Sequence, residues 1–126
     1  MKILVVDDSK AMRMIVIRTL RQAGYSKHEM TEAQNGIEAL KAIEASPPDL
    51  VLSDWNMPDM SGIELLKALR QSGSQIKFGF ITSENSEEMR MRAVEAGASF
   101  LIGKPFNTEI VQKILGSFLD VDDRKE

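Results

Sequence analysis

Five short apolar runs alternate with five amphipathic segments along the 126 residues of the chain. Short apolar runs bounded by polar or turn-forming residues are typical of buried strands, and here they cover residues 3–6, 28–33, 50–52, 77–82 and 99–103. The second run is the weakest, because only Met30 and Ala33 are apolar in it. The repeated strand–helix order predicts one α/β domain with a parallel sheet, right-handed crossovers and helices on both faces.

The predicted helices begin at residues that cap helix N-termini and end at glycine or ahead of proline. They cover about residues 9–22, 36–46, 61–71, 85–96 and 107–119, with Asn85 opening the fourth. In the first helix we expect Ala11, Ile15 and Leu20 to face the core. We expect the folded domain to cover residues 1–119 and residues 120–126 to form a charged, frayed C-terminal tail.

The composition, 43% hydrophobic and 28% charged, is that of a globular domain. A net charge of −3 argues against broad nucleic-acid binding, so we expect no nucleic-acid partner. The absence of cysteine excludes a disulfide framework, a thiol nucleophile and a cysteine zinc site. No apolar run is long enough for a signal peptide or a bilayer-spanning helix, so we expect a cytoplasmic protein without membrane insertion.

Polar side chains follow four of the predicted strands, and the carboxyl ends of parallel strands share one edge of a sheet. These residues are Asp7 and Asp8 after the first strand, Asp54 after the third, Thr82 closing the fourth, and Lys104 after the fifth. Three carboxylates in one crevice repel one another, and Mg²⁺ suits a site with few carboxylates, a carbonyl and water. The lysine and the threonine suit phosphoryl oxygens, so the crevice predicts a metal beside a phosphoryl group with a carboxylate as nucleophile.

Several motifs resemble those of the receiver domains of two-component response regulators, over essentially the whole chain. They are Asp7-Asp8-Ser9, Asp54-Trp55-Asn56-Met57-Pro58, Thr82-Ser83 and Lys104-Pro105-Phe106. Within that family the chain is most similar to the single-domain chemotaxis regulators. The resemblance implies a flavodoxin-like (βα)5 fold, a doubly wound parallel sheet with strand order 2-1-3-4-5, and a cis Lys104–Pro105 bond.

The resemblance also implies a role for each site residue. Asp54 would accept a phosphoryl group from a histidine kinase, and Thr82 and Lys104 would contact that group. Asp8, Asp54 and the Asn56 carbonyl would bind Mg²⁺ directly, with Asp7 acting through water. The side chains of Asn56 and Glu84 would reach the water that later removes the phosphate. The chain would then be a stand-alone phosphoacceptor switch, not an enzyme, that promotes its own phosphorylation and dephosphorylation and signals by a protein contact.

One position departs from the family pattern, which has Tyr or Phe three residues before the lysine. Leu101 stands there, and Phe100 lies one place earlier, on the opposite side of the strand. We expect the downstream target to bind a face formed by Arg90, Leu101, Ile110 and Ile114, with Leu101 and both isoleucines exposed. The alternative is that the isoleucines only widen the core packing. The protein would be a monomer or a phosphorylation-dependent dimer.

Two other functions compete with this interpretation. A Mg²⁺-dependent phosphohydrolase with an aspartate nucleophile, of the haloacid dehalogenase type, would need an Asp-x-Asp pair closing the first strand, whereas Asp7 and Asp8 are adjacent. A flavodoxin would need a hydroxyl- and glycine-rich phosphate loop after the first strand, where this aspartate pair would repel a phosphate. The single histidine, His28, is expected at the surface rather than in phosphotransfer.

Overall fold

A computed structural model describes residues 1–84 and 86–117. Five parallel strands form one sheet in the order β2-β1-β3-β4-β5. In chain order they are β1 (Lys2–Val6), β2 (Glu29–Ala33), β3 (Leu50–Ser53), β4 (Lys77–Thr82) and β5 (Phe100–Gly103). The helices are α1 (Lys10–Leu20), α2 (Gly36–Ala45), α3 (Gly62–Gln71), α4 (Glu87–Ala96) and α5 (Thr108–Leu115). The predicted fold class and the strand order implied by the resemblance are confirmed.

Each helix begins after a side chain that accepts a hydrogen bond from the first turn, which satisfies an otherwise unpaired N–H group. These caps are Ser9, Asn35, Ser61, Ser86 and Asn107. The predicted opening of the fourth helix at Asn85 lies outside the described residues, as do the predicted helix end at 119 and the tail at 120–126. After α1, a π-helical turn at Arg21–Tyr25 contains Gly24 at a φ of 106°, where the helix was predicted to stop.

The core has two layers, because alternate side chains of the buried strands point to opposite faces of the sheet. On one face, α2, α3 and α4 pack over a cluster that includes Leu4, Val51 and Phe80. On the other face, α1 and α5 pack over a cluster that includes Ile3 and Leu52. Among the described residues, no helix is long and apolar enough to cross a membrane.

The predicted core stripe of α1 is right at Leu20 and wrong by one position at Ala11 and Ile15. Val16 and Leu20 are buried and Met12 packs against them, whereas Ala11 is exposed and Ile15 is 45% exposed. The buried residues recur every four positions, which is an ordinary helical spacing.

The predicted exposure of Leu101 is also wrong. Its side chain is only 4% exposed and belongs to the cluster beneath α2, α3 and α4, since α4 covers that side of the edge strand β5. Phe100 lies on the opposite side of the sheet, as predicted, and packs against the cluster beneath α1 and α5. Ile110 is 39% exposed, and Ile114 is half-buried against the same cluster as Phe100.

Candidate functional site

Main-chain hydrogen bonds carry the strand ladder one residue beyond the ends of β1, β3 and β5. The Asp7 N–H donates to the Ala33 carbonyl at 3.1 Å, and the Asp54 N–H donates to the Val6 carbonyl at 2.9 Å. The Lys104 N–H donates to the Thr82 carbonyl at 3.0 Å. These bonds fix the backbone of these three residues to the rigid sheet. The three residues therefore lie at one edge of the sheet, as the strand order predicted.

The three aspartates form a compact group of carboxylates. Asp7, Asp8 and Asp54 each present an oxygen, and these oxygens lie within 4.8 Å of one another. Asp7 is buried, Asp54 is partly buried and Asp8 is exposed, so the group opens to solvent on the Asp8 side. Carboxylate oxygens with access to water match the preference of Mg²⁺, which keeps several waters when it binds protein. The donor set therefore fits that ion.

Lys104 bridges two of these carboxylates. Its Nζ lies 3.3 Å from Asp7 Oδ2 and 3.3 Å from Asp54 Oδ2, and all three side chains are largely shielded from water. An ammonium group in this place offsets part of the repulsion between the two aspartates. It would also stand beside any phosphoryl group attached to Asp54.

Burial raises the pKa of Asp7, because removal from water disfavours the charged carboxylate. The nearby negative charge of Asp54 raises that pKa further, while the Ser9 N–H, which donates to Asp7 Oδ1 at 2.9 Å, and Lys104 lower it. The pKa remains above its ordinary value in sum. The surroundings of Asp7 thus disfavour the charged form of its carboxylate.

The Asp54 carboxylate is held at both oxygens. The Trp55 N–H donates to Oδ1 at 2.6 Å, and Lys104 lies beside Oδ2. The backbone of Asp54 is also pressed against the start of α3, since a β-carbon added to Gly62 would come within 2.1 Å of the Asp54 carbonyl oxygen. The Gly62 N–H donates to the Trp55 carbonyl at 2.8 Å and closes this turn. The carboxylate therefore has one defined orientation.

The remaining predicted residues lie at the end of β4 and on the loops that follow β3 and β4. Thr82 is fully buried at the end of β4, and its Oγ1 accepts a long hydrogen bond of 3.4 Å from the Glu84 N–H. Asn56 Nδ2 donates to Glu84 Oε1 at 2.7 Å, so the two side chains predicted to reach the attacking water contact each other. Both are exposed, and the pair joins the β3–α3 loop to the loop after β4.

Two arginines near the site were not predicted. Arg13 Nη1 donates to the Asp7 carbonyl at 2.6 Å, and its Nε pairs with Glu32 at 2.8 Å. The guanidinium of Arg92, on α4, lies 5.3 Å from the centre of the Trp55 ring. The sequence offered a weak signal for Arg13, which follows the Asp7-Asp8-Ser9 motif by one helical turn. It offered none for Arg92, whose contact depends on how α4 packs.

Comparison with known proteins points to one family. The response regulator receiver domain matches residues 3–115. The chemotaxis protein CheY1 of Helicobacter pylori is 37% identical over 126 residues, which is 98% of this chain and 100% of the relative. CheY-3 of Vibrio cholerae is 37% identical over 95% of this chain and 92% of the relative. The solved structure of the chemotaxis response regulator CheY4 of Vibrio cholerae superposes with a TM-score of 0.81 at 38% identity, covering 94% of this chain and 98% of that one.

Proposed function

Because this chain belongs to the response regulator receiver family, we propose that it is a phosphoacceptor switch whose Asp54 receives a phosphoryl group from the phosphohistidine of a histidine kinase. The observation that carries the proposal is the Asp54 carboxylate, 3.3 Å from Lys104 Nζ and grouped with Asp7 and Asp8. The chemotaxis names of its relatives favour a chemotaxis pathway. We also propose a cytoplasmic location.

The transfer is an in-line displacement at phosphorus. An oxygen of the Asp54 carboxylate forms the new P–O bond while the P–N bond to the donor imidazole breaks, and the electron pair of that bond stays on the imidazole nitrogen. Lys104 stabilises the negative charge on the equatorial phosphoryl oxygens, and the Thr82 hydroxyl donates to one of them. The Trp55 N–H fixes the rotation of the carboxylate, so that Oδ2 stays on the side of Lys104.

We assign Mg²⁺ as the metal partner, which Asp8, Asp54 and the Asn56 carbonyl would hold directly, with Asp7 acting through water. When bound, the ion neutralises carboxylate and phosphoryl charge and so lowers the barrier to transfer. Asp7 and Asp8 supply the negative charge that attracts the cation. The three carboxylates lie within 4.8 Å of one another, and burial, with a further contribution from the charge of Asp54, raises the pKa of Asp7. A cation beside this group would favour its charged form, which supports this assignment.

Reversal of the signal uses water and the pair formed by Asn56 and Glu84. Both side chains are exposed beside the acceptor loop and are joined by a hydrogen bond of 2.7 Å. When that bond opens, each can orient a water molecule for attack on the phosphoryl group of Asp54. The protein then promotes both its own phosphorylation and its own dephosphorylation.

The output is a protein contact at a groove beside β5. The groove has a volume of about 320 Å³ and is lined by Arg90, Ala93, Val94, Phe100, Leu101 and Ile114. Arg90 donates to the Leu101 carbonyl at 3.1 Å, so it caps a carbonyl on the open edge of the sheet. We propose that Arg90, Ile110 and Ile114 contact the target here, with Leu101 forming the buried floor, and that the chain acts as a monomer or as a phosphorylation-dependent dimer.

Intact-mass measurement after incubation with acetyl phosphate and Mg²⁺ tests the proposal. The wild-type chain should gain one phosphoryl mass, and Asp54→Asn should gain none. Asp59→Asn is the matched control, because Asp59 lies in the same loop and is exposed. Equal labelling of Asp54→Asn and wild type would contradict the assignment. Steady turnover of free phosphate esters would favour the phosphohydrolase instead.

A further inference from the structure

Trp55 links the acceptor carboxylate to the strand that carries Thr82. Its main-chain N–H donates to Asp54 Oδ1, and its side chain is only 5% exposed. The indole packs against Phe80 with 4.7 Å between ring centres, and Phe80 lies two residues before Thr82 on β4. A change in the environment of Asp54 or in the position of β4 therefore reaches this ring directly.

A residue of α4 covers one face of the same indole. The Arg92 guanidinium lies 5.3 Å from the ring centre, which is the range of a cation–π contact. Arg92 Nη1 also lies 3.9 Å from Met89 Sδ, one turn earlier in α4. Within the described part of the chain, Arg92 forms no salt bridge with a carboxylate, so the ring is the main partner that holds its charged group.

The aromatic side chain that receivers usually carry at position 101 cannot serve as the link in this chain. Leu101 is buried in the same cluster as Trp55 and Phe80. Phe100 is on the other side of the sheet and lies across Gly79, with ring atoms 2.0 Å from where a β-carbon would be. Turning Phe100 toward Thr82 would require it to pass through β4.

We propose that the contact between Arg92 and Trp55 couples the state of Asp54 to the position of α4, and that it stabilises the unphosphorylated arrangement. Phosphorylation alters the carboxylate whose Oδ1 accepts the hydrogen bond from the Trp55 N–H. It also draws Thr82 toward the oxygens of the new phosphoryl group. The loop after β4 follows, and α4 moves Arg92 off the indole. Arg92 is then a positioning residue. This inference rests on the proposed function, because it requires Asp54 to bind a phosphoryl group.

Coupling is reciprocal, so a residue that favours the unmodified state must weaken binding of a phosphoryl analogue. Beryllium trifluoride with Mg²⁺ is the probe, titrated into the full chain by calorimetry. Arg92→Gln should bind the analogue about threefold more tightly than wild type, consistent with the strength of a partly exposed cation–π contact. Arg92→Lys keeps a cation over the ring and should stay near the wild-type affinity.

Trp55 is the single tryptophan of the chain, so its emission gives a second readout. The change in emission on adding the analogue should be smaller in Arg92→Gln, because the ring has already lost its partner. Lys67→Gln is the matched control, since Lys67 and Arg92 both line a cleft between α3 and α4 and the substitution also removes one positive charge. It should bind the analogue as wild type does.

Three outcomes would contradict the inference, and they differ in what else they contradict. Unchanged affinity and emission in Arg92→Gln would overturn the coupling and leave the proposed function standing. An equal effect in Lys67→Gln would show that net charge alone is responsible, which also overturns the coupling. No binding of the analogue to the wild-type chain would overturn the proposed function, and the inference with it.

Discussion

The ring of Phe100 lies where a β-carbon of residue 79 would stand. A β-carbon added to Gly79 would come within 2.0 Å of Phe100 Cε1 and 2.1 Å of Cζ, because β4 and β5 are neighbouring strands and Gly79 pairs with Phe100 in register. The glycine thus makes room for an aromatic ring on the side of the sheet that α1 and α5 cover.

Replacing Gly79 with alanine should therefore destabilise the domain by about 1–3 kcal/mol, the usual cost of an added carbon in a packed core. Urea unfolding measures this change. Phe100→Leu in the same chain should recover part of the loss, since it removes the ring atoms that clash. If the two substitutions are additive, the contact between the glycine and the ring does not set the cost.

A second glycine is needed at the site itself. A β-carbon on Gly62 would meet the Asp54 carbonyl oxygen at 2.1 Å and Phe80 Cε1 at 2.9 Å. The first neighbour is backbone and cannot move without shifting Asp54, the proposed phosphoryl acceptor. Gly62→Ala should cost about 3 kcal/mol and slow acetyl phosphate labelling of Asp54, as measured by intact mass.

Gly73 provides a comparison for that variant. It adopts a φ of +91°, but a β-carbon there would meet nothing within 4 Å. Gly73→Ala should cost about 1 kcal/mol from backbone strain and leave the labelling rate unchanged. Normal labelling in Gly62→Ala would show that the loop accommodates the carbon without moving Asp54.

Strand topology made the site predictable. Asp7, Asp54 and Lys104 follow strands whose order and direction are set by the fold, so the edge they share follows from the alternating pattern alone. The core stripe of α1 was not predictable in the same way. Residues 14–17 are all apolar, so periodicity could not decide whether Val16 or Ile15 faces inward.

Leu101 and Arg92 show the limit of local patterns. Alternation along β5 correctly put Phe100 and Leu101 on opposite sides of the sheet, but it could not show that α4 covers Leu101. The contact of Arg92 with Trp55 joins residues 37 positions apart in the sequence, and it depends on how α4 packs. Such contacts require the assembled structure.

The stability of the metal-free domain should depend most on Asp7. Burial raises the pKa of Asp7 and shows that its charge is unfavourable there, whereas Asp8 is exposed. Asp7→Asn should raise the melting temperature in EDTA by about 2–5 °C. Mg²⁺ should raise the melting temperature of the wild-type chain, since a ligand of the folded state stabilises it, and raise that of the variant less.

Asp8→Asn separates the effect of carboxylate charge on metal-free stability from its effect on Mg²⁺ binding. Its carboxylate is already in water, so its removal should change the metal-free melting temperature little while it reduces the response to Mg²⁺. A lower melting temperature of Asp7→Asn in EDTA would indicate that its pairing with Lys104, at 3.3 Å, outweighs the cost of burial. An intact Mg²⁺ response in both variants would place the metal elsewhere.

The two isoleucines of α5 should behave differently, because the structure separates them. Ile110 is 39% exposed, so Ile110→Lys should change the free energy of unfolding by less than about 0.5 kcal/mol. Ile114 is half-buried against the core cluster and lines the groove beside β5, so Ile114→Lys should cost more, about 1–2 kcal/mol. Both variants should accept phosphate on Asp54 as wild type does, measured by intact mass, since neither isoleucine is among the proposed site residues. If phosphorylation drives self-association through this face, sedimentation with beryllium trifluoride should show weaker dimers for both variants. A loss of several kcal/mol in Ile110→Lys would instead return that residue to the core and remove it from the proposed output face.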